Sequence, residues 1–165
     1  MPAPRSTHVE VYVFRRSRTR AQLLVLRRAS GERLHPGIWQ PVTGRRRRIE
    51  GPLAAAVREV REETGLEPRR WWGLETATLY VDVRDGQLKI LPLLAAEVDP
   101  KARVRLSREH DAFEWVSLAE AARRVLWESQ RRGITALQRE VLCGGPLAAA
   151  LELERVPAPP PRRAT

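Results

Sequence analysis

Cysteine is nearly missing from this chain: among 165 residues only Cys143 carries a thiol. A single cysteine excludes an internal disulfide and points to a reducing, cytoplasmic setting. Cys143 stands beside Gly144 and Gly145 with no His or Asp nearby in sequence, so it reads as a small apolar residue rather than a nucleophile. No stretch approaches the roughly 18–20 continuous apolar residues of a membrane span. The N-terminal MPAPRSTHVEV lacks the apolar centre of a signal peptide. A soluble protein with no membrane partner is expected. Histidine is sparse, and His8, His35 and His110 are scattered, which gives no basis for a histidine metal site. Lysine is sparser still: Lys89 and Lys101 are the only two, so arginine carries almost all the cationic charge.

That charge is large, at +10 net with a calculated pI of about 11.2. A polyanionic partner such as nucleic acid, a nucleotide or a phosphorylated metabolite would suit it. A general arginine habit of composition would produce it equally well. Hydrophobic residues at 42% and charged residues at 30% match ordinary globular usage. The length suits one domain with a core that needs no staples. One domain is expected over residues 1–153. Residues 154–165, Pro- and Arg-rich without apolar periodicity, are expected to be a disordered tail.

Residues 8–14 alternate and are rich in Val and aromatics, which predicts a strand; 22–28 predict a second, more buried one. Residues 29–37 read as a loop and 38–44 as a short extended segment, with Pro41 arguing for an edge or irregular position. A helix is predicted from Pro52, with Leu53, Val57 and Val60 as its buried stripe and Gly65 as its left-handed terminator. Residues 76–83 and 87–98, joined at Asp85-Gly86, predict a β-hairpin with a bulge or edge at Pro92. Trp71 and Trp72 are expected to cap the core behind the helix. A strand over 112–116 is expected to bury Trp115, alternating with Phe113. A helix opens at Ser117 with a capping box to Glu120, and another covers about 129–142. The order implies one α/β domain, a mixed sheet between helical layers.

The chemistry lies on the first helix. Glu59, Glu62 and Glu63 fall within an arc of roughly 100° beside its apolar stripe. Arg58 stands four residues before Glu62, close enough to pair across one turn, and Glu50 precedes the positive end of the helix. Several carboxylates on a rigid support suit Mg²⁺, a hard cation that prefers oxygen ligands and substrate phosphates. Such a cation would offset the negative charge of a diphosphate while a nearby carboxylate takes a proton from water. A solvated acidic face is the plain alternative, and spacing decides against it.

From Gly44 to Leu66 the chain reads GRRRRIEGPLAAAVREVREETGL. Gly44, then Glu50, then Arg58-Glu59-Val60, Glu62-Glu63 and Gly65-Leu66 stand at the spacings of the pattern GX5EX7REUXEEXGU, where U is apolar. Each defined position is met by chance at roughly one in ten, so coincidence is negligible. The stretch resembles the Nudix box. That resemblance implies the Nudix fold and hydrolysis of a nucleoside diphosphate linked to another moiety, with Mg²⁺ or Mn²⁺ as cofactor. It implies that Glu59, Glu62 and Glu63 are metal ligands, with the Gly44 carbonyl as a further one. Arg58 would orient the glutamates, Glu50 would support the loop and Gly65 would close the helix. Upstream, Trp39-Gln40 and Val42-Thr43-Gly44 resemble the WQxVTG entry of a subgroup that includes dihydroneopterin triphosphate pyrophosphatases. Downstream, SREHDAFEWV (107–116) resembles that subgroup's C-terminal region, where a Glu before a His supplies a late metal ligand or base; here that is Glu109.

The resemblance thus implies Glu62, Glu63, Glu109 and Arg58 as the catalytic set, with Trp39, Gln40, Arg45, Arg46 and Arg47 as candidates for the substrate. Trp39 is as well placed for stacking on a base as for the core. The run Arg45 to Arg48 departs from the acidic and small residues common there, and reads either as a phosphate grip or as a solvated loop. The expected partner is a small phosphorylated molecule, a nucleotide or pterin triphosphate cleaved to monophosphate and pyrophosphate. Dinucleoside polyphosphates and the 5′ end of RNA stand as alternatives within the same chemistry. A non-catalytic nucleotide-binding module is the alternative of another class, and a homodimer is a further expectation.

Overall fold

In the computed structural model, which describes residues 6–158, the first strand alternates as its sequence requires. β1 (His8–Arg16) sends Val9, Val11 and Val13 to one side and Tyr12 and Phe14 to the other. All five side chains are fully buried, because the sheet is covered on both faces. β2 (Ala21–Arg28) divides likewise, with Leu24 and Leu26 on the first side and Leu23 and Val25 on the second.

Around these two strands stand β3 (Trp39–Gln40), β4 (Val42–Arg45), β5 (Arg70–Asp82), β6 (Gln87–Glu97) and β7 (His110–Val116). The main path runs β3-β2-β1-β6-β5, with β4 paired to β1 and β7 to β2. β1 and β6 are parallel and the remaining pairs antiparallel. Pro41 marks the point where the chain passes from β2 to β1, a break that a residue without a backbone donor tolerates.

Helix α1 (Pro52–Thr64) packs on the first face, contributing Ala55, Ala56, Val57 and Val60. Its buried band is wider than the predicted stripe because the two alanines let the helix approach closely. α2 (Leu118–Arg124) and α3 (Glu128–Leu137) cover the second face. The expected mixed sheet between helices is the observed architecture. No helix among the described residues is long and apolar enough to cross a membrane. Residues 159–165 of the expected tail lie outside the described residues.

Several local expectations are corrected. Trp71 and Trp72 do not follow the helix as a cap; they open β5, one side chain entering each core. The irregularity of the hairpin sits in β5 between Gly73 and Ala77, not at Pro92, which pairs with Ala77. Glu75 N–H at the bulge donates to Glu140 Oε2 at 2.9 Å. Glu140 lies on a π-helical turn, Gln138–Leu142, that continues α3, so the two irregularities compensate each other. The capping box is half formed: Ser117 Oγ accepts from Glu120 N–H, but the Glu120 carboxylate turns to Arg123 and Arg124. Phe113 is exposed and Trp115 half-buried, with the Arg15 guanidinium 4.5 Å from the Trp115 ring centroid. A last helix, α4 (Gly145–Leu151), had no signal in the periodicity; none of its side chains is buried.

Candidate active site

Pro52 occupies the first turn of α1, Gly51 precedes it, and no side chain caps the helix. Glu50 instead reaches Arg58, two turns along. Its carboxylate accepts from Nε and Nη2 of Arg58, both at 2.8 Å, and from the Arg47 backbone N–H at 3.0 Å. The Arg58 hydrogen bonds hold the Glu50 carboxyl down at a pKa of about 2. Arg58 Nη1 donates to Glu59 at 2.6 Å and to Glu62 at 3.0 Å, the pair expected from the four-residue spacing. Its Nη2 also meets the Arg45 carbonyl at 2.9 Å. One guanidinium, itself buried, thus joins three carboxylates and the end of β4. The hydrogen bond to Glu50 first, then Glu59 and Glu62, keep its proton bound more tightly than usual.

Glu59 lies flat against β4. A Cβ placed on Gly44 would stand 2.0 Å from Glu59 Cδ, so only glycine leaves room for this carboxylate. Burial raises the Glu59 pKa, opposed by the hydrogen bond from Arg58. Glu62 is half exposed, with Arg47 Nη2 at 3.3 Å. Glu63 is buried, and its Oε2 has no hydrogen-bond partner. Burial pushes its pKa well up, the charges of Glu59, Glu109 and Glu62 push it further, and Arg28 opposes them.

Gly65 takes φ 67° and returns its N–H to the Arg61 carbonyl, ending the helix as predicted. The segment before β7 is then stitched to that end. Arg105 N–H donates to the Thr64 carbonyl at 2.7 Å and Ser107 N–H to the Glu63 carbonyl at 3.1 Å. The Glu109 carbonyl accepts from Ala29 N–H at 2.9 Å, tying the same segment to β2. Residues some fifty positions apart in sequence are so brought together, and the Glu109 charge acts on both Glu59 and Glu63.

His110 is the residue that sequence reasoning missed. Far from being scattered, it is buried beside the helix end, its Nδ1 3.9 Å from Glu63 Oε2. Burial first, then the charge of Arg28, lowers its pKa to about 4. The Glu-His pair in SREHDAFEWV was its only available signal.

The substrate candidates separate. Trp39 packs with the α2–α3 core, across the sheet from the glutamates, with Arg27 and Arg124 at 5.8 and 5.3 Å from its ring centroid. Gln40 is buried and donates to Thr43 Oγ1 at 3.2 Å. Arg46 is committed to backbone: Nε and Nη2 donate to the Glu50 carbonyl at 3.0 and 2.6 Å, and Nη1 to the Ser6 carbonyl at 2.7 Å. It is therefore a strut of the loop, whereas Arg45, Arg47 and Arg48 are exposed. Cys143 is exposed and free.

Among the described residues, no three acidic, His or Cys side chains already form a metal cage. Arg58 draws Glu59 and Glu62 toward itself instead. The donors nevertheless suit a hard divalent cation. All are oxygens, Glu63 Oε2 is buried without a partner, and burial first, then its acidic neighbours, raise its pKa. A positive ion would relieve that crowding.

A mixed sheet between helices, with a set of glutamates on one helix gathered by a single arginine, defines the class of fold. The NUDIX domain matches residues 6–138, and the chain belongs to the Nudix family. It is 37% identical over 134 residues to an octanoyltransferase of Myxococcus xanthus, covering 81% of this chain and 36% of that protein. It is 36% identical over 86 residues to the asymmetrical bis(5′-nucleosyl)-tetraphosphatase of Mus musculus, covering 50% of this chain and 58% of the relative. The chain therefore spans about a third to three-fifths of the length of these curated relatives. The solved E. coli dihydroneopterin triphosphate pyrophosphohydrolase superposes with a TM-score of 0.65 at 20% identity, covering 86% of this chain and 98% of that one. At that identity the likeness concerns the fold.

Proposed function

We propose that this Nudix domain hydrolyses a diphosphate linkage in a nucleotide, using Mg²⁺ or Mn²⁺ held by Glu59, Glu62 and Glu63 with the Gly44 carbonyl. The observation that carries the reading is the buried Glu63 carboxylate, whose Oε2 has no hydrogen-bond partner and which feels the charges of Glu59 and Glu62 on α1 and of Glu109 before β7. A divalent cation seated among these groups would relieve their mutual repulsion. A bound divalent cation supplies charge neutralisation for the phosphate chain and a more acidic water.

The rest falls to the chain itself. Arg58, anchored by Glu50, fixes the rotamers of Glu59 and Glu62. Glu109, on the segment before β7, accepts the proton of the attacking water. Arg45, Arg47 and Arg48 present exposed guanidinium groups at the mouth of the β4–α1 loop, where bidentate contacts to phosphate oxygens are available. The products are a nucleoside phosphate and a second phosphorylated fragment.

For the substrate class, similarity to the mouse tetraphosphatase is a reason to assay dinucleoside polyphosphates first. Nucleoside triphosphates and dihydroneopterin triphosphate come next, and 5′-triphosphorylated RNA after them. The match to the octanoyltransferase covers too little of that protein for its name to lend this chain an activity. Phosphate and pyrophosphate release over this panel, with Mg²⁺ and with chelator, tests the proposal. Glu63→Gln is expected to lower turnover about 100-fold or more. Equal release by both proteins would remove hydrolysis and leave a nucleotide-binding module.

A further inference from the structure

Two buried polar groups lie close together at the end of α1, each with atoms that lack a hydrogen-bond partner among the described residues. Glu63 Oε2 and His110 Nδ1 are 3.9 Å apart, and the second imidazole nitrogen of His110 is also without a hydrogen bond. At that distance no hydrogen bond exists. Leaving buried polar groups unpaired costs stability, which a hydrogen bond between them would recover. Both side chains are over nine-tenths buried, so bulk water does not satisfy them.

The surrounding backbone is tied at both residues. Ser107 N–H is bonded to the Glu63 carbonyl, and Arg28 at the end of β2 is paired with His110 across the β2–β7 ladder. His110 opens β7, so its Cα is set by the sheet, while Glu63 is set by α1. The carboxylate needs to swing by only about 1 Å to reach hydrogen-bond distance.

We propose that His110 is the positioning residue for Glu63: its Nδ1–H closes onto Glu63 Oε2 when that carboxylate binds a divalent cation. The closed bond fixes the carboxylate plane and leaves the other oxygen for the ion. Partners of this kind behind a metal-binding side chain typically contribute 10–100-fold in metal affinity. The inference rests on the metal site proposed above. It gives His110 the part of a partner to Glu63, 3.9 Å away, rather than that of a metal ligand.

The test uses Mn²⁺ binding by titration calorimetry on the whole chain, with thermal unfolding recorded without metal. His110→Leu removes the donor, and His110→Asn returns an N–H near the position of Nδ1. The leucine variant is expected to bind Mn²⁺ 10–100-fold more weakly, with its unfolding midpoint unchanged or raised. The asparagine variant is expected to recover to within about threefold of the parent. Parent-like affinity of the leucine variant overturns the inference. So does weakened binding that asparagine fails to restore, or that comes with a lowered midpoint in both variants, since either marks a packing role. Should the leucine variant not fold, His110→Asn and His110→Gln carry the comparison. The longer amide misplaces its donor and should bind more weakly; equal affinities refute the proposal. Absence of Mn²⁺ binding by the parent protein sinks the metal site itself, a separate outcome.

Discussion

Replacing Gly44 by alanine is the sharpest perturbation this site offers, because backbone strain plays no part in it. Gly44 is not among the glycines with positive φ, and it lies in β4 paired with Val9. Alanine is therefore free to adopt the local conformation, and would by itself stabilise the chain by about 0.4–1 kcal/mol through the unfolded state. The obstacle is the Glu59 carboxylate, whose Cδ and Cγ would each stand 2.0 Å from the new methyl group. Ordinary carbon contacts begin at about 3.5 Å, so Glu59 must retreat by roughly 1.5 Å. It cannot retreat freely, because Arg58 holds it at 2.6 Å. Overpacking of this sort costs about 1–3 kcal/mol, so the net loss of stability should be only about 1–2 kcal/mol. The functional loss should be larger, since displacement of a catalytic group by about 1 Å costs roughly 100-fold in rate. Turnover on the responsive substrate, measured beside a urea denaturation curve, separates the two. Alanine activity within about threefold of the parent would refute the claim that Glu59 must lie against β4 to function.

Acid stability should report the Glu50–Arg58 bond. With Glu50 held at about 2 against an ordinary value of 4.5, the folded state loses stability as pH falls from about 4.5 toward 2. The bond's contribution is fully present above that window; allowing for screening at this partly exposed carboxylate, ~1–2 kcal/mol is at stake. Denaturation of Glu50→Gln should show a flatter pH dependence there, and identical slopes would discount the bond. The arginine run should split in two. Arg46→Ala is expected to lower the unfolding midpoint by about 4–8 °C through lost bonds to carbonyls, while Arg48→Ala should leave the midpoint unchanged and raise KM. Matching effects from the two would contradict the division into strut and phosphate contact.

The amino-acid order alone determined helix α1 and the placing of its carboxylates. The i, i+3 and i, i+4 spacings of Arg58, Glu59, Glu62 and Glu63 are properties of a helix, so one face could be drawn before any fold was known. Gly65 as terminator and the positions of β1, β2 and β7 were equally local, since alternation and turn residues act over a few positions. What the sequence could not express was which distant side chain meets which. His110 looked isolated because its neighbour in space, Glu63, lies nearly fifty residues away, and only the stitching of residues 105–107 to the end of α1 closes that gap. The four arginines looked equivalent until the loop geometry gave Arg46 three backbone bonds and left Arg48 exposed. Gly44, too, fitted a spacing in the sequence; the reason it must be glycine, the Glu59 side chain lying against it, arises from packing between β4 and α1. Helical and strand periodicities are read along the chain, whereas burial, electrostatic crowding and steric exclusion depend on neighbours that only the folded chain supplies.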